Sequence, residues 1–418
     1  MTAKSGVGAY IAVTIAYWAF MATDGALRML VLLHFHTLGY SPLQLAYLFL
    51  LYEFMGMVAN LSAGWIAARF GLTSTLYAGL ALQIGALIAM AQLDPAWGAT
   101  MSVVFVAAVQ GVSGVAKDLA KMSAKSAVKV LAPEAEGGLF RWVAVLTGSK
   151  NAVKGLGFLI GAAMLGLFGF EPSLWTMAAV LAAVLLGVAA FMPGGLPRGV
   201  KGAKFREVLS KNSDVNRLSA ARLFLFAARD AWFVVGVPIF FYGVLSDGDA
   251  ASNRDAFFQI GVFMAVWIIG YGGVQAAAPA LLSAKSKSLG EIVALARYWV
   301  GALTLIPATL AALAASGLFA PIPLAAIVVA GLLVFGAVFA LNSSIHSYLI
   351  LAFTSEKRVA MDVGFYYMAN AAGRLLGTLL SGLSYQAGGL AGCLAASGVL
   401  ALLSFLCAGS LTRATAKD

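Results

Sequence analysis

The chain has 418 residues, 61% of them hydrophobic and 11% charged, with a formal net charge of +10 at neutral pH. A water-soluble domain carries charge on about a quarter of its residues, so this composition excludes one. The basic balance does not point to nucleic acid either, because the cations lie in short loops or inside apolar runs and leave no polar domain to grip a duplex.

Apolar runs of about 20 residues recur along the chain, each long enough to cross a hydrocarbon core of about 30 Å as a helix. A β-barrel would show short alternating segments instead. Twelve spans are predicted, at 10–37, 43–68, 72–92, 99–128, 138–168, 173–192, 215–244, 255–282, 288–315, 322–349, 357–386 and 389–411. The first carries Asp24 and Arg28 in its middle and lacks a small-residue cleavage site, so it is expected to stay in the membrane rather than be cleaved as a leader.

Alternate loops are strongly basic: Arg69, Lys125, Lys129, Arg198, Lys201, Lys204, Arg206, Lys211, Arg217, Lys285, Lys287, Lys357 and Arg358. The opposite loops hold Arg254 against Asp94, Glu171, Asp247, Asp249 and Asp255. The positive-inside rule then predicts cytoplasmic termini, an even number of spans and a multi-pass protein of the inner (plasma) membrane. Cys393 and Cys407 share the last span without metal-ligand spacing and read as small apolar packing residues; no cofactor is expected.

Residues 193–216, rich in Gly, Pro and Lys, form the one long hydrophilic connector and divide the spans six and six. The expected organisation is a six-helix bundle at 1–192, a cytoplasmic linker at 193–216 and a second bundle at 217–418. A repeat supports it: Phe20, Asp24 and Phe35 recur at the same spacings as Phe226, Asp230 and Phe241, and Asn151 and Asn370 each open a glycine-rich stretch. The loop sequence GWIAARFGLTSTL, with Gly64, Arg69 and Gly71, resembles the GxxxDRxGR/K signature of the major facilitator superfamily, although Ala68 replaces its Asp and Leu72 and Thr73 its following basic residues. The same glycines also suit close helix packing and a tight turn. The resemblance implies an all-α fold of twelve transmembrane helices in two halves, with spans 1, 2, 4, 5, 7, 8, 10 and 11 around a transport cavity.

Ten cations fall inside the predicted spans: Arg28, Lys117, Lys121, Arg141, Lys150, Lys154, Arg222, Arg229, Arg297 and Arg374. A buried cation costs roughly 2.5 to 3.5 kcal/mol on insertion scales and persists where it lines a cavity or has a partner. Only Asp24, Glu53, Asp118 and Asp230 offer negative partners at similar depth, so an anion is expected to supply the rest. Arg222, Arg297, Lys121 and Arg141 are close enough to the cytoplasmic face to snorkel. Lys150 and Lys154 share a face about 18 and 24 Å into span five. Lys117 either faces the substrate or pairs with Asp118. Arg28 and Arg229 sit near mid-membrane, where their forked donors suit phosphate-like oxyanions; the alternative pairs them with Asp24 and Asp230. Asn151, Tyr366, Tyr367, Asn370 and Arg374 are further substrate-site candidates, and the four carboxylates are the candidates for proton coupling ahead of His34, His36 and His346.

Three segments, YWAFMATDGALRMLVLLHFHTLGYSP at 17–42, GVAKDLAKMSAKSAVK at 114–129 and LFRWVAVLTGSKNAVKGLGF at 139–158, resemble the ArsJ-type organoarsenical efflux permeases. That likeness implies export of 1-arseno-3-phosphoglycerate, the adduct formed when glyceraldehyde-3-phosphate dehydrogenase accepts arsenate, and hence arsenate resistance, with a working monomer and no catalysis. Two competing readings are an organophosphate/phosphate antiporter of the same superfamily and a membrane acyltransferase using His346 with Asn342.

Overall fold

The computed structural model describes residues 3–131, 138–191, 210, 212–283, 287–354 and 359–411, so most of the predicted linker lies outside the described residues. Among the described residues the regular structure is helical and contains no strand. The helices are α1 (Ala3–Thr37), α2 (Pro42–Phe70), α3 (Leu72–Met90), α4 (Ala99–Leu131), α5 (Gly138–Phe168), α6 (Phe170–Phe191), α7 (Ser213–Phe233), α8 (Gly236–Leu245), α9 (Ala250–Leu281), α10 (Leu289–Ala315), α11 (Pro321–Phe353) and α12 (Val359–Gly409). Eleven described stretches are long and apolar enough to cross a membrane.

Two of those stretches depart from a simple span. Predicted span 215–244 is broken into α7 and α8 at Val234 and Val235. Pro238 supplies the reason, since it has no N–H to donate to the Val234 carbonyl and its ring crowds that group. The amides of Val235 and Gly236 donate instead to Ser381 Oγ, at 3.1 and 3.2 Å, so the break leaves these buried donors satisfied. The last stretch, Met361–Gly409, would be about 73 Å long if straight, more than twice the hydrocarbon core. It breaks at Gly388 and Gly389, where Gly389 takes φ +57°, a conformation open to glycine. Beyond the break the chain folds back: Cys393 Sγ donates to the Ser381 carbonyl at 3.3 Å and Ser384 Oγ donates to Cys393 Sγ at 3.4 Å. This reversal falls between predicted spans 357–386 and 389–411.

The packing explains how charged helices come so close. Helix α1 lies against α4, α5 and α6, α2 against α4 and α12, α5 against α9, and α7 against α12. On α5, Gly157 and Gly161 meet the α1 backbone at Ala22 and Ala26; on α12, Gly373 and Gly377 meet the α7 backbone at Leu223 and Ala227. These are small-xxx-small crossings, in which the missing side chains let two backbones touch. Gly25 completes the first crossing, because a Cβ there would stand 2.7 Å from the Lys154 carbonyl. At the second, a Cβ on Gly377 would stand 2.7 Å from Asp230 Cβ. Gly155 against Ala265 and Gly382 against Ala46 make the α5–α9 and α2–α12 approaches.

Candidate functional site

The two glycine crossings each place a cation beside an aspartate. Lys154 of α5 holds Asp24 of α1 at 2.9 Å, and Asp24 also accepts a short hydrogen bond from the Tyr52 hydroxyl of α2. Arg374 of α12 reaches Asp230 of α7 at 3.5 Å, while Arg229 binds the other oxygen of Asp230 at 2.6 Å. Glu53 of α2 joins the two arrangements: its Oε1 takes Arg28 of α1 at 3.0 Å and Arg374 of α12 at 2.5 Å. The result is an unbroken chain of alternating charge, Arg28, Glu53, Arg374, Asp230, Arg229, running from α1 across α2 and α12 to α7.

Lys117 and Asp118 of α4 flank this chain. Asp118 pairs with Lys121, whose ammonium also donates to Asn60 Oδ1 at 2.9 Å. Lys117 is buried with its ammonium 4.0 Å from the centroid of the Tyr52 ring, a cation–π contact strengthened by desolvation. Gly56 of α2 makes the room, since a Cβ there would stand 3.4 Å from that ammonium and 3.2 Å from Asp118 Oδ2.

Several sequence expectations are corrected. Arg28 does not pair with Asp24 along its own helix; it crosses to Glu53, and Lys154 takes Asp24. Arg229 does pair with its neighbour Asp230. Within this cluster Arg28, Lys117, Lys121, Lys154, Arg229 and Arg374 face Asp24, Glu53, Asp118 and Asp230, a surplus of two positive charges, and the rest of the expected excess comes from Arg141, Lys150, Arg222 and Arg297. Sequence separation hides the pairing of Lys154 with Asp24 and of Arg28 and Arg374 with Glu53, because these partners come from different helices. Lys121 does not snorkel, being tied to Asp118, and neither does Arg222, which is 4% exposed and donates to the Ser343 carbonyl and Oγ at 3.0 Å each. Arg297 stands exposed over the Phe405 ring at 5.3 Å, and the Arg141 side chain lies outside the described residues.

The remaining candidates are spread over several helices. Lys150 is half-buried on α5, one turn before Lys154, and the neighbouring Asn151 donates to Gln275 of α9 at 3.5 Å. Asn370 is half-buried one turn before Arg374 on α12. Tyr366 is fully buried with its ring 5.1 Å from the Arg222 guanidinium, whereas Tyr367 is exposed, as adjacent residues on a helix point about 100° apart. His34 stacks on Phe170 at 4.0 Å and His36 packs edge-on against Tyr242. Asn342 donates to the Ala296 carbonyl at 2.9 Å and makes no hydrogen bond to His346, so the pair proposed for acyl transfer is not assembled. Tyr52 and Gly56 were not foreseen; the i, i+4 spacing of Tyr52 and Gly56 around Glu53 was the available signal.

No family model and no curated protein sequence matches the chain. Solved structures do. A mutant of the nucleoside transporter NupG superposes with a TM-score of 0.71 at 16% identity, covering 97% of this chain and 99% of that one. A POT family transporter in complex with a thioalcohol-conjugated peptide gives 0.72 at 16% identity over 98% and 97%, and one in complex with 5-aminolevulinic acid gives 0.73 at 15% over 97% and 96%. The chain thus has the fold of these membrane transporters.

Proposed function

We propose that this protein is a secondary active transporter that moves a small organic oxyanion by alternating access. The observation that carries the proposal is the buried charge cluster, six cations against four carboxylates, whose central chain links α1 and α2 to α7 and α12. In this reading residues 1–192, holding α1 to α6, and residues 217–418, holding α8 to α12 and all but the first four residues of α7, are two six-helix halves joined by the 193–216 linker, whose end forms the first turn of α7, giving twelve crossings with both termini in the cytoplasm of an inner membrane. Glu53 and Arg374 then form a bridge between the halves. A multiply charged anion entering among Lys117, Lys154, Arg28 and Arg374 competes with Glu53 for the two guanidinium groups, and the freed carboxylate loosens one half from the other. Lys150, Asn151, Arg229 and Asn370 extend the same surface, with Tyr366 and Tyr367 behind Asn370. Asp24, Glu53, Asp118 and Asp230 are the groups on which a coupled proton would ride.

The substrate we favour is 1-arseno-3-phosphoglycerate, exported to confer arsenate resistance, because three N-terminal segments resemble organoarsenical permeases and because a phosphate at one end and an arsenate at the other suit cations spread over several helices. Everted vesicles containing the protein should accumulate this adduct when glyceraldehyde-3-phosphate dehydrogenase, arsenate and glyceraldehyde 3-phosphate are supplied. Accumulation of another anion without the adduct would remove the assignment. A second reading is exchange of an unmodified organophosphate for phosphate. It is favoured by the convergence of Arg28 and Arg374 on a single oxygen, the arrangement a lone phosphate group would exploit. Counterflow of phosphoglycerate against phosphate separates the two.

A further inference from the structure

Arg222, like Lys117, is a buried cation outside the ion pairs described above. It is 4% exposed, yet among the described residues no carboxylate lies within ion-pair range of it. Its neighbours on α7 are already engaged, Asp230 with Arg229 and Asp214 with Arg217. On α12, Asp362 accepts from Thr354 at 2.8 Å. The guanidinium is instead held in place by neutral groups: the Ser343 carbonyl and hydroxyl of α11, and the rings of Phe226 at 4.2 Å and Tyr366 at 5.1 Å. These fix its position without neutralising its charge.

A second observation points to a missing ligand. Arg222 Nε is buried without a protein partner, and so are Ser219 Oγ, three residues earlier on α7, and both ring nitrogens of His346, three residues after Ser343 on α11. Residues three apart on a helix share a face, so these groups belong to the α7 and α11 surfaces that meet at Arg222 and Ser343. Buried polar groups left unpaired are destabilising, and more so when charged. The groups are rich in donors, which suits an oxyanion. Beside them Leu218, Ile345 and Tyr366 form part of an apolar cluster, whose low polarity strengthens any charge interaction there.

A polar track leads to this place. Gln275 of α9 donates to Ser343 Oγ at 3.4 Å and receives from Asn151 of α5 at 3.5 Å, one residue from Lys150. Along α7, Arg222 lies seven residues from Arg229, about 10 Å at 1.5 Å per residue.

We propose that Arg222, with Ser219, Ser343 and His346, forms a second anion station that takes one oxyanion group of the substrate on its way between the central charge chain and the α7 N-terminal end of the molecule. The inference rests on the transport reading above for its role, but not for its existence. Two measurements separate them. Crystals of the full chain soaked in tungstate should show an anomalous peak within hydrogen-bonding distance of the Arg222 guanidinium in the wild type and none there in Arg222→Gln. A wild-type map with water or nothing at that position overturns the station, whatever the protein transports. In proteoliposomes, Arg222→Gln should lower the maximal phosphoglycerate counterflow on the order of tenfold, the scale of one charge-assisted hydrogen bond, while equilibrium phosphoglycerate binding stays within about twofold. Arg222→Lys should recover part of the rate. Equal losses in both variants, matched by a fall in melting temperature, would make Arg222 a structural strut and overturn the role. A wild type that carries no phosphorylated anion would overturn the transport reading and leave the tungstate result to decide the station.

Discussion

At the scale of single residues, the site is governed by the cost of leaving a charge alone in a bilayer. Asp24 is satisfied by Lys154 and Tyr52, groups 130 and 28 residues away in sequence. Removing one partner of a buried pair typically costs 3 to 5 kcal/mol, because the other charge is left uncompensated. Lys154→Ala should therefore lower the melting temperature measurably in detergent, and the double variant Lys154→Ala/Asp24→Asn should regain most of that stability without regaining transport. If the double variant is as unstable as the single, the two side chains are not a pair. Outside the membrane, Asp249 caps α9, accepting backbone N–H bonds from Ser252 and Ala251 at 2.9 and 2.8 Å. These bonds hold its carboxyl below the usual range. Its contribution is thus present above the unfolded carboxylate pKa and is lost as pH falls through the lower folded value. Asp249→Ala should melt below the wild type at neutral pH, with the gap closing in acid. Which residues are charged was legible in the sequence; which charges meet was not, because Arg28, with Asp24 four residues away, binds Glu53 across helices instead.

At the scale of helices, glycine spacing decides where the charges can meet. The glycine-rich stretches after Asn151 and Asn370 were visible as a repeat, and the structure shows their use: each lets a cation-bearing helix press against an aspartate-bearing one. A Cβ on Gly157 would stand 2.5 Å from the Ala22 carbonyl, whereas nothing lies within 4 Å of one on Gly187 of α6. Gly157→Leu should abolish folded protein in the membrane fraction and Gly187→Leu should not, as read by fluorescence-detected size exclusion. Equal yields would show that the α1–α5 crossing tolerates separation. Helix ends were partly legible as well. The predicted boundary between spans 357–386 and 389–411 coincides with the reversal in α12 at Gly388 and Gly389, but the break between α7 and α8 is not signalled because Pro238 stands in a run whose hydropathy never falls.

At the scale of the whole molecule, Glu53 and Arg374 connect α2 to α12, and Arg28 holds the same carboxylate oxygen. If this bridge must open for alternation, Glu53→Gln removes the competitor that an anion has to displace. The variant should bind phosphoglycerate more tightly, by several-fold in equilibrium binding, while its counterflow slows because release is no longer assisted by the returning carboxylate. Weaker binding in Glu53→Gln would mean that Glu53 positions the guanidinium groups rather than competing for them. By itself, the sequence determined that the chain is a polytopic helical membrane protein with a surplus of intramembrane cations, since hydropathy and charge are local properties that no folding can change. The tertiary structure alone decided that Arg28, Lys121, Lys154, Arg229 and Arg374 are already ion-paired, that Arg222 is buried instead of reaching water, and that one glutamate holds two arginines from different helices. Electrostatic energy depends on distance and burial, and both are set by helices far apart in the chain.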